Sequence, residues 1–356
     1  MALSVPALLS VSNAPLRAWG SNRDGWLGIG HTSNTNLPAT VASNVVAVAA
    51  GAAHSLFVKA DGTLWAMGSN NFGQLGDGAT LLWKNPVYVT NGVAAVAAGE
   101  FHSLFVKTDG TLWAMGYNRF GQLGDGTHDD DAYRPVYVTN NVAAVAAGVD
   151  HSLFVKTDGT LWAMGNNSLG QLGVGRTIEE HFPVYVTNGV ATVAAGACHS
   201  LFVRSDGTFW GMGSSYYGAL GNGNVSNGNS LPLYITNEVA AAAGGYAYSL
   251  YVRMDGTLWA MGNNEQGQLG NGRNDKVNSF QTCVTNGVTA VAAGFVHSLF
   301  AESDGTLWAM GDNVYGQLGD GFNASTNRPV NVPGLTVASL GAMCMANHSL
   351  VVALQA

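Results

Sequence analysis

Charge is scarce in this 356-residue chain: only 10% of its residues are charged, and 14 Lys and Arg face 22 Asp and Glu. The net charge of -8 argues against a nucleic-acid or anionic-membrane partner, because neither offers a counter-charge to an acidic surface. Basic or neutral partners remain open. Cysteine is nearly missing as well. Cys198, Cys283 and Cys344 stand at no metal-ligand spacing, which argues against a disulfide framework or a zinc site and leaves them as small buried hydrophobes. No run reaches the roughly 20 apolar residues of a membrane span, so no membrane insertion is expected. The opening "MALSVPALLSVSNAP" lacks a basic leading segment and contains Pro6, which makes it a poor secretory signal. Localisation is open, with an extracellular or periplasmic setting favoured over a cytoplasmic one.

Glycine and apolar residues are what the chain does have. With 48 glycines and 47% hydrophobic residues it reads as a turn-rich, all-β body. One sentence is repeated throughout. The pair His-Ser, or Tyr-Ser once, begins at His54, His102, His151, His199, Tyr248, His297 and His348, spaced 48 to 51 residues apart. A second landmark, Gly-x-Leu-Gly, starts at Gly25, Gly73, Gly121, Gly170, Gly218, Gly267 and Gly316, and both landmarks count seven.

A period of this length with four strand-like runs per unit predicts a seven-bladed β-propeller of four antiparallel strands per blade. The runs read "VAAVAAG", "HSLFVKT", "TLWAMG" and "PVYVTN", strands A to D. Strand A, built of Ala, Val and Gly, suits the crowded axis. Strand C brings a tryptophan per unit, Trp65 to Trp308 with Trp19 in the first, to pack between sheets. Strand D usually opens at a proline such as Pro86, Pro135 or Pro183, as an outer edge tolerates. Asp-Gly joins B to C in six units, a pair that tight hairpins favour because both residues tolerate positive φ. These aspartates stand alone, without the clustered oxygens calcium needs. The chain begins with an unpartnered C strand, "LRAWG", and ends with an unpartnered A and B, so N- and C-terminal strands are expected to close the last blade together. That gives one domain over 16–356 after an extension of 1–15.

The motif "HSLFVKTDGTLWAMGxNxxGQLGDG" resembles the regulator of chromosome condensation repeat family, over about Leu16 to Leu354. The resemblance implies a seven-bladed propeller, and it implies several unrelated jobs, since the family includes a guanine-nucleotide exchange factor for Ran, a plant ultraviolet-B photoreceptor and bacterial inhibitors of β-lactamase. The uniform spacing leaves no room for the exchange factor's inserted hairpin wedge. The photoreceptor's Gly-Trp-Arg-His-Thr string is absent. The inhibitors are nearest in compactness, although their "AWG" reads "AMG" here, as at Ala66-Met67-Gly68.

Comparing the seven copies with each other locates the variation. In an up-and-down blade the A–B and C–D loops share one face, and the B–C and D–A loops share the other. The second face is uniform, made of Asp-Gly turns and "TNG" links. The first is individual, and it carries Phe72, Glu100, Phe101, Tyr117, Arg119, Phe120, Asp150, Tyr216, Tyr217, Tyr246, Phe295 and Tyr315. Aromatics with arginine on a rigid surface are the ingredients of protein-interface hot spots, so these twelve form the expected binding face.

The column His54, His102, His151, His199, Tyr248, His297 and His348 is expected to be structural, tying neighbouring loops by hydrogen bonds, with no metal and no cofactor. The acidic runs at 128–131 and 179–181 offer a hard cation some ligands, yet such runs are usually solvated. No nucleophile elbow, phosphate loop or zinc-binding helix motif occurs. The sequence therefore points to a non-enzymatic, monomeric scaffold that binds a macromolecule, a protein first, with an inhibitory role as one form of this. A carbohydrate-binding propeller is the alternative, followed by a lyase or hydrolase working at the channel mouth.

Overall fold

The computed structural model describes residues 14–341 and 345–354. Cys344 and most of the expected 1–15 extension lie outside the described residues. Ala14 and Pro15 already belong to the domain: Ala14 is buried, its carbonyl accepts from the Val45 amide, and that of Pro15 accepts from the Ala353 amide.

Five four-stranded antiparallel sheets form blades 1 to 5, over 45–90, 93–139, 142–187, 190–236 and 239–285. Blade 6 runs from 288 into the long strand Thr326–Leu340. That strand serves two blades, pairing with Thr306–Gly311 as strand D and then with His348–Ala353 as strand A of blade 7. Strand Leu16–Gly20 adds beside His348–Ala353, Leu16 opposite Val352 and Gly20 opposite His348, and Thr35–Ala42 finishes the sheet. The expected terminal closure is thus present, and all seven blades have their four strands.

Strand A lies at the axis for the expected steric reason. Ala97, Ala146, Ala194, Ala243, Gly244 and Ala292 are among the small residues around a central cavity of about 190 Å³. Two expectations on strand C and its turn are corrected. Trp19 does not stand in the tryptophan register: opposite Ser349 it matches Met67 opposite Ser55, and Arg17 takes the tryptophan position. The deep inter-blade filler is therefore methionine. Met115 packs on Gly76 and Met164 on Gly124, whereas at the ring closure Trp19, fully buried, covers Gly319 and donates its indole N–H to the Gln317 carbonyl at 2.9 Å.

The repeat tryptophans are only half-buried. Trp65 stacks on Phe57 at 6.4 Å, meets Tyr88 edge-on, and lies under the Lys59 ammonium at 4.6 Å, a cross-strand ladder that recurs from blade to blade. In the Asp-Gly turn only glycine uses positive φ, +79° at Gly62. Asp61 instead accepts from the Thr63 amide and hydroxyl, which holds its carboxyl below the usual range.

Candidate functional site on the loop face

The floor of this face is the histidine column. Each imidazole Nε2 meets the serine of the next blade: His54 with Ser103 at 2.8 Å, His102 with Ser152, His151 with Ser200, His199 with Ser249 and His297 with Ser349, each at 2.9 Å. His348 closes the circle on Ser55 at 2.7 Å. Every serine spends its one proton on a carbonyl of the preceding Gly-x-Leu-Gly loop, as Ser103 does on Gln74 at 2.7 Å. Serine therefore accepts from histidine, and each imidazole is the neutral Nε2–H tautomer.

Tyr248 replaces one link by donating its hydroxyl to the His297 carbonyl, with Ser298 Oγ 3.0 Å from that hydroxyl. These bonds link each blade to the next at the residues expected to be structural. A His-Ser pair at such distances resembles a nucleophilic dyad. Here the serine proton is directed away from histidine, and both side chains are buried. Burial also lowers the imidazole values to about 3, or about 4 at His199. The glycine ending strand A belongs to the same device: a Cβ on Gly99 would lie 2.2 Å from His102 Cε1.

Above this floor the A–B loops bond around the mouth, Val149 N–H to the Ala197 carbonyl at 3.1 Å and Phe295 N–H to Ala346 at 2.9 Å. The twelve expected binding residues fall into groups. Phe72, Phe101 and Tyr117 pack together with ring centroids 4.9 to 6.5 Å apart. Tyr216 and Tyr217 meet edge-on at 4.8 Å, and Tyr246 lies 4.8 Å from Phe295. The Arg119 guanidinium covers Phe120 at 5.9 Å. Tyr315 stands with 41% of its surface exposed.

Glu100 and Asp150 share a partly buried corner. Burial and the Glu100 charge push Asp150 up to about 6 against the pull of Arg119, and burial raises Glu100. The two acidic runs are also brought together, His128 and His181 lying 4.4 Å apart with Asp129 and Glu179 beside them. Among the described residues, however, no set of three His, Cys, Asp or Glu is arranged to hold a metal ion.

A cavity of about 370 Å³ at the junction of blades 4 and 5 was not anticipated. Tyr216, Tyr217, Tyr246, Leu169 and Cys198 line it, with His199 and Ala219 in its wall. Its signal was the one "GALG" among the Gly-x-Leu-Gly loops. The cysteines depart from their expected burial: Cys198 is half-buried at this cavity and Cys283 is exposed on strand D. Exposed Phe182, Leu231 and Phe280, one per outer strand, also went unremarked, although each occupies the same repeat position, two residues after the strand opens.

The comparisons agree with this geometry. The RCC1-like domain model matches residues 4–232, well over half of the chain, and the regulator of chromosome condensation repeat matches 255–301 and 304–352. This chain belongs to the RCC1-like family. It is similar in structure to human WBSCR16, with a TM-score of 0.86 and 22% identity over 96% of this chain and 98% of that one. Prp20p of Saccharomyces cerevisiae, described with its binding to Gsp1p and histones, has a TM-score of 0.88 and 21% identity over 98% and 93%. The yeast RCC1 (Prp20) structure with Kap60 gives 0.88 and 20% over 100% and 92%. No curated protein matches the sequence.

Proposed function

We propose that this RCC1-like propeller is a non-enzymatic scaffold that binds a protein partner through its A–B and C–D loop face. The observation that carries the reading is the division of the molecule: one face repeats itself, while the other gathers aromatic clusters from blades distant in sequence onto a rigid floor. The imidazoles, the groups best suited to acid–base chemistry, are committed to that floor, which favours binding over catalysis. Prp20p supports the reading as a propeller described with protein ligands. In this reading Phe72, Phe101 and Tyr117, which pack together, form one contact centre and the tyrosines of blades 4 and 5 another. A pull-down followed by dissociation constants for alanine variants of both faces tests it. Sensitivity confined to the Asp-Gly face, or a glycan array that captures the chain where no protein does, would replace this reading.

A further inference from the structure

In five blades the second residue of Gly-x-Leu-Gly is a glutamine whose side chain is almost wholly buried, as at Gln74, Gln171 and Gln268, and in blade 7 it is Trp26. In blade 4 it is Ala219. The side chain that fills this place elsewhere is missing, and there the 370 Å³ cavity opens, with Ala219 in its wall.

Three features set its chemistry. Tyr216 and Tyr246, 55% and 44% exposed, line it with aromatic surface. His199, only 1% exposed, lies in the wall with Nε2–H given to Ser249, so its remaining ring nitrogen, Nδ1, carries a lone pair that can accept. The surrounding field is negative. The A–B and C–D loops hold thirteen acidic and five basic residues, and the charges of Asp150 and Glu100 are felt at Cys198 on the cavity edge. The A–B and C–D loops of blade 4 carry no charged residue, and the cation over the lining, Lys276 of blade 5, lies 5.9 Å from the outer tyrosine, Tyr217, and is paired with Glu265 at 3.6 Å.

We propose that this cavity is an anchor pocket for one arginine side chain of a protein partner. The inference rests on the loop face being a protein-binding surface. An arginine stem matches the apolar contacts of Leu169 and Ala247, while its planar guanidinium stacks on tyrosine and carries N–H donors for His199 Nδ1. An aliphatic anchor would offer that acceptor no donor. A sugar would bring no charge to the acidic rim.

The test uses Nα-acetyl-arginine N-methylamide, its norleucine analogue and methyl glucoside as probes, read by saturation-transfer NMR. The arginine probe is expected to bind about tenfold or more tighter than norleucine. Ala219→Gln restores the repeat's own residue and fills the cavity. It should cut arginine binding about tenfold while the melting curve is unchanged, and the surface change Tyr246→Ala should weaken binding severalfold even if Ala219→Gln fails to fold. Equal binding of norleucine, displacement of arginine by methyl glucoside, or an Ala219→Gln or Tyr246→Ala protein that binds like the parent would overturn the assignment. Failure of the probe while Phe101→Ala and Tyr315→Ala still weaken a captured protein partner would discard the pocket and keep the protein-binding face. A partner indifferent to every loop-face variant while the probe still binds would discard the face instead.

Discussion

A buried histidine that never titrates in the folded chain makes acid a denaturant. The column imidazoles sit at about 3, or about 4 for His199, whereas histidine in an unfolded chain takes its proton near 6.5. Below that value the unfolded state binds more protons, so this stability is complete above pH 6.5 and is lost as pH falls toward 3. Each imidazole contributes up to about 1.4 kcal/mol per pH unit in that window. Asp150, Glu100 and Asp131, raised by burial, act in the opposite sense, but they are three groups against six. Denaturant melts between pH 7 and 5 should therefore show steeply falling stability, with a shallower slope in His102→Gln. A flat profile would contradict the buried neutral ring. At the same scale, Ser103→Ala strands the Nε2–H of His54 and the Gln74 carbonyl, and should cost about 1–3 kcal/mol for the unsatisfied groups.

Closure is decided at the scale of the strand. Leu16–Gly20 pairs with His348–Ala353 along its whole length and so joins the two ends of the chain. Removal of Ser349–Ala356 opens an edge on blade 7 and uncovers its core, so the melting temperature should fall sharply, and an unchanged scan would refute shared closure. Trp19 offers a finer probe. It occupies the methionine register, so Trp19→Met returns the repeat residue and should cost under about 1.5 kcal/mol beyond the lost indole bond, while Trp19→Ala should cost about 3–5 kcal/mol by urea unfolding.

Variation is sorted to one side only when the ring is considered whole, whereas acidic residues stand on both. The loop face holds thirteen acidic and five basic residues and the chain carries a net -8, so a partner with a basic surface would be drawn to it. Association rate should fall as salt rises. Truncating an aromatic at the contact centre, Phe101→Ala or Tyr216→Ala, should cost about 2 kcal/mol or more, about a thirtyfold rise in dissociation constant. Asp109→Asn and Asp158→Asn, on the far turns, should leave it unchanged. Calorimetric titration against the identified partner checks both, and sensitivity of the turn variants alone would reverse the assignment of faces.

The internal repeat by itself determined the blade count, the four strands, the shared terminal blade and the division into a constant and a variable face. Strand A had to be small at a converging axis, strand D had to accept proline at an outer edge, and two unpartnered chain ends had to meet. The role of the histidine column was legible for the same reason, since a residue repeated in every blade serves what every blade shares. Register was not. Trp19 and Trp65 look alike in a list of tryptophans, and only strand pairing shows that one fills the space of a methionine. Nor did the sequence reveal which loop residues touch. Tyr217 and Tyr246 become neighbours because adjacent blades set their loops side by side, and the cavity between them exists because Ala219 stands where its counterparts place a buried glutamine. The repeat fixes what is common to all blades, while contacts between unlike loops arise only when the ring brings particular blades together.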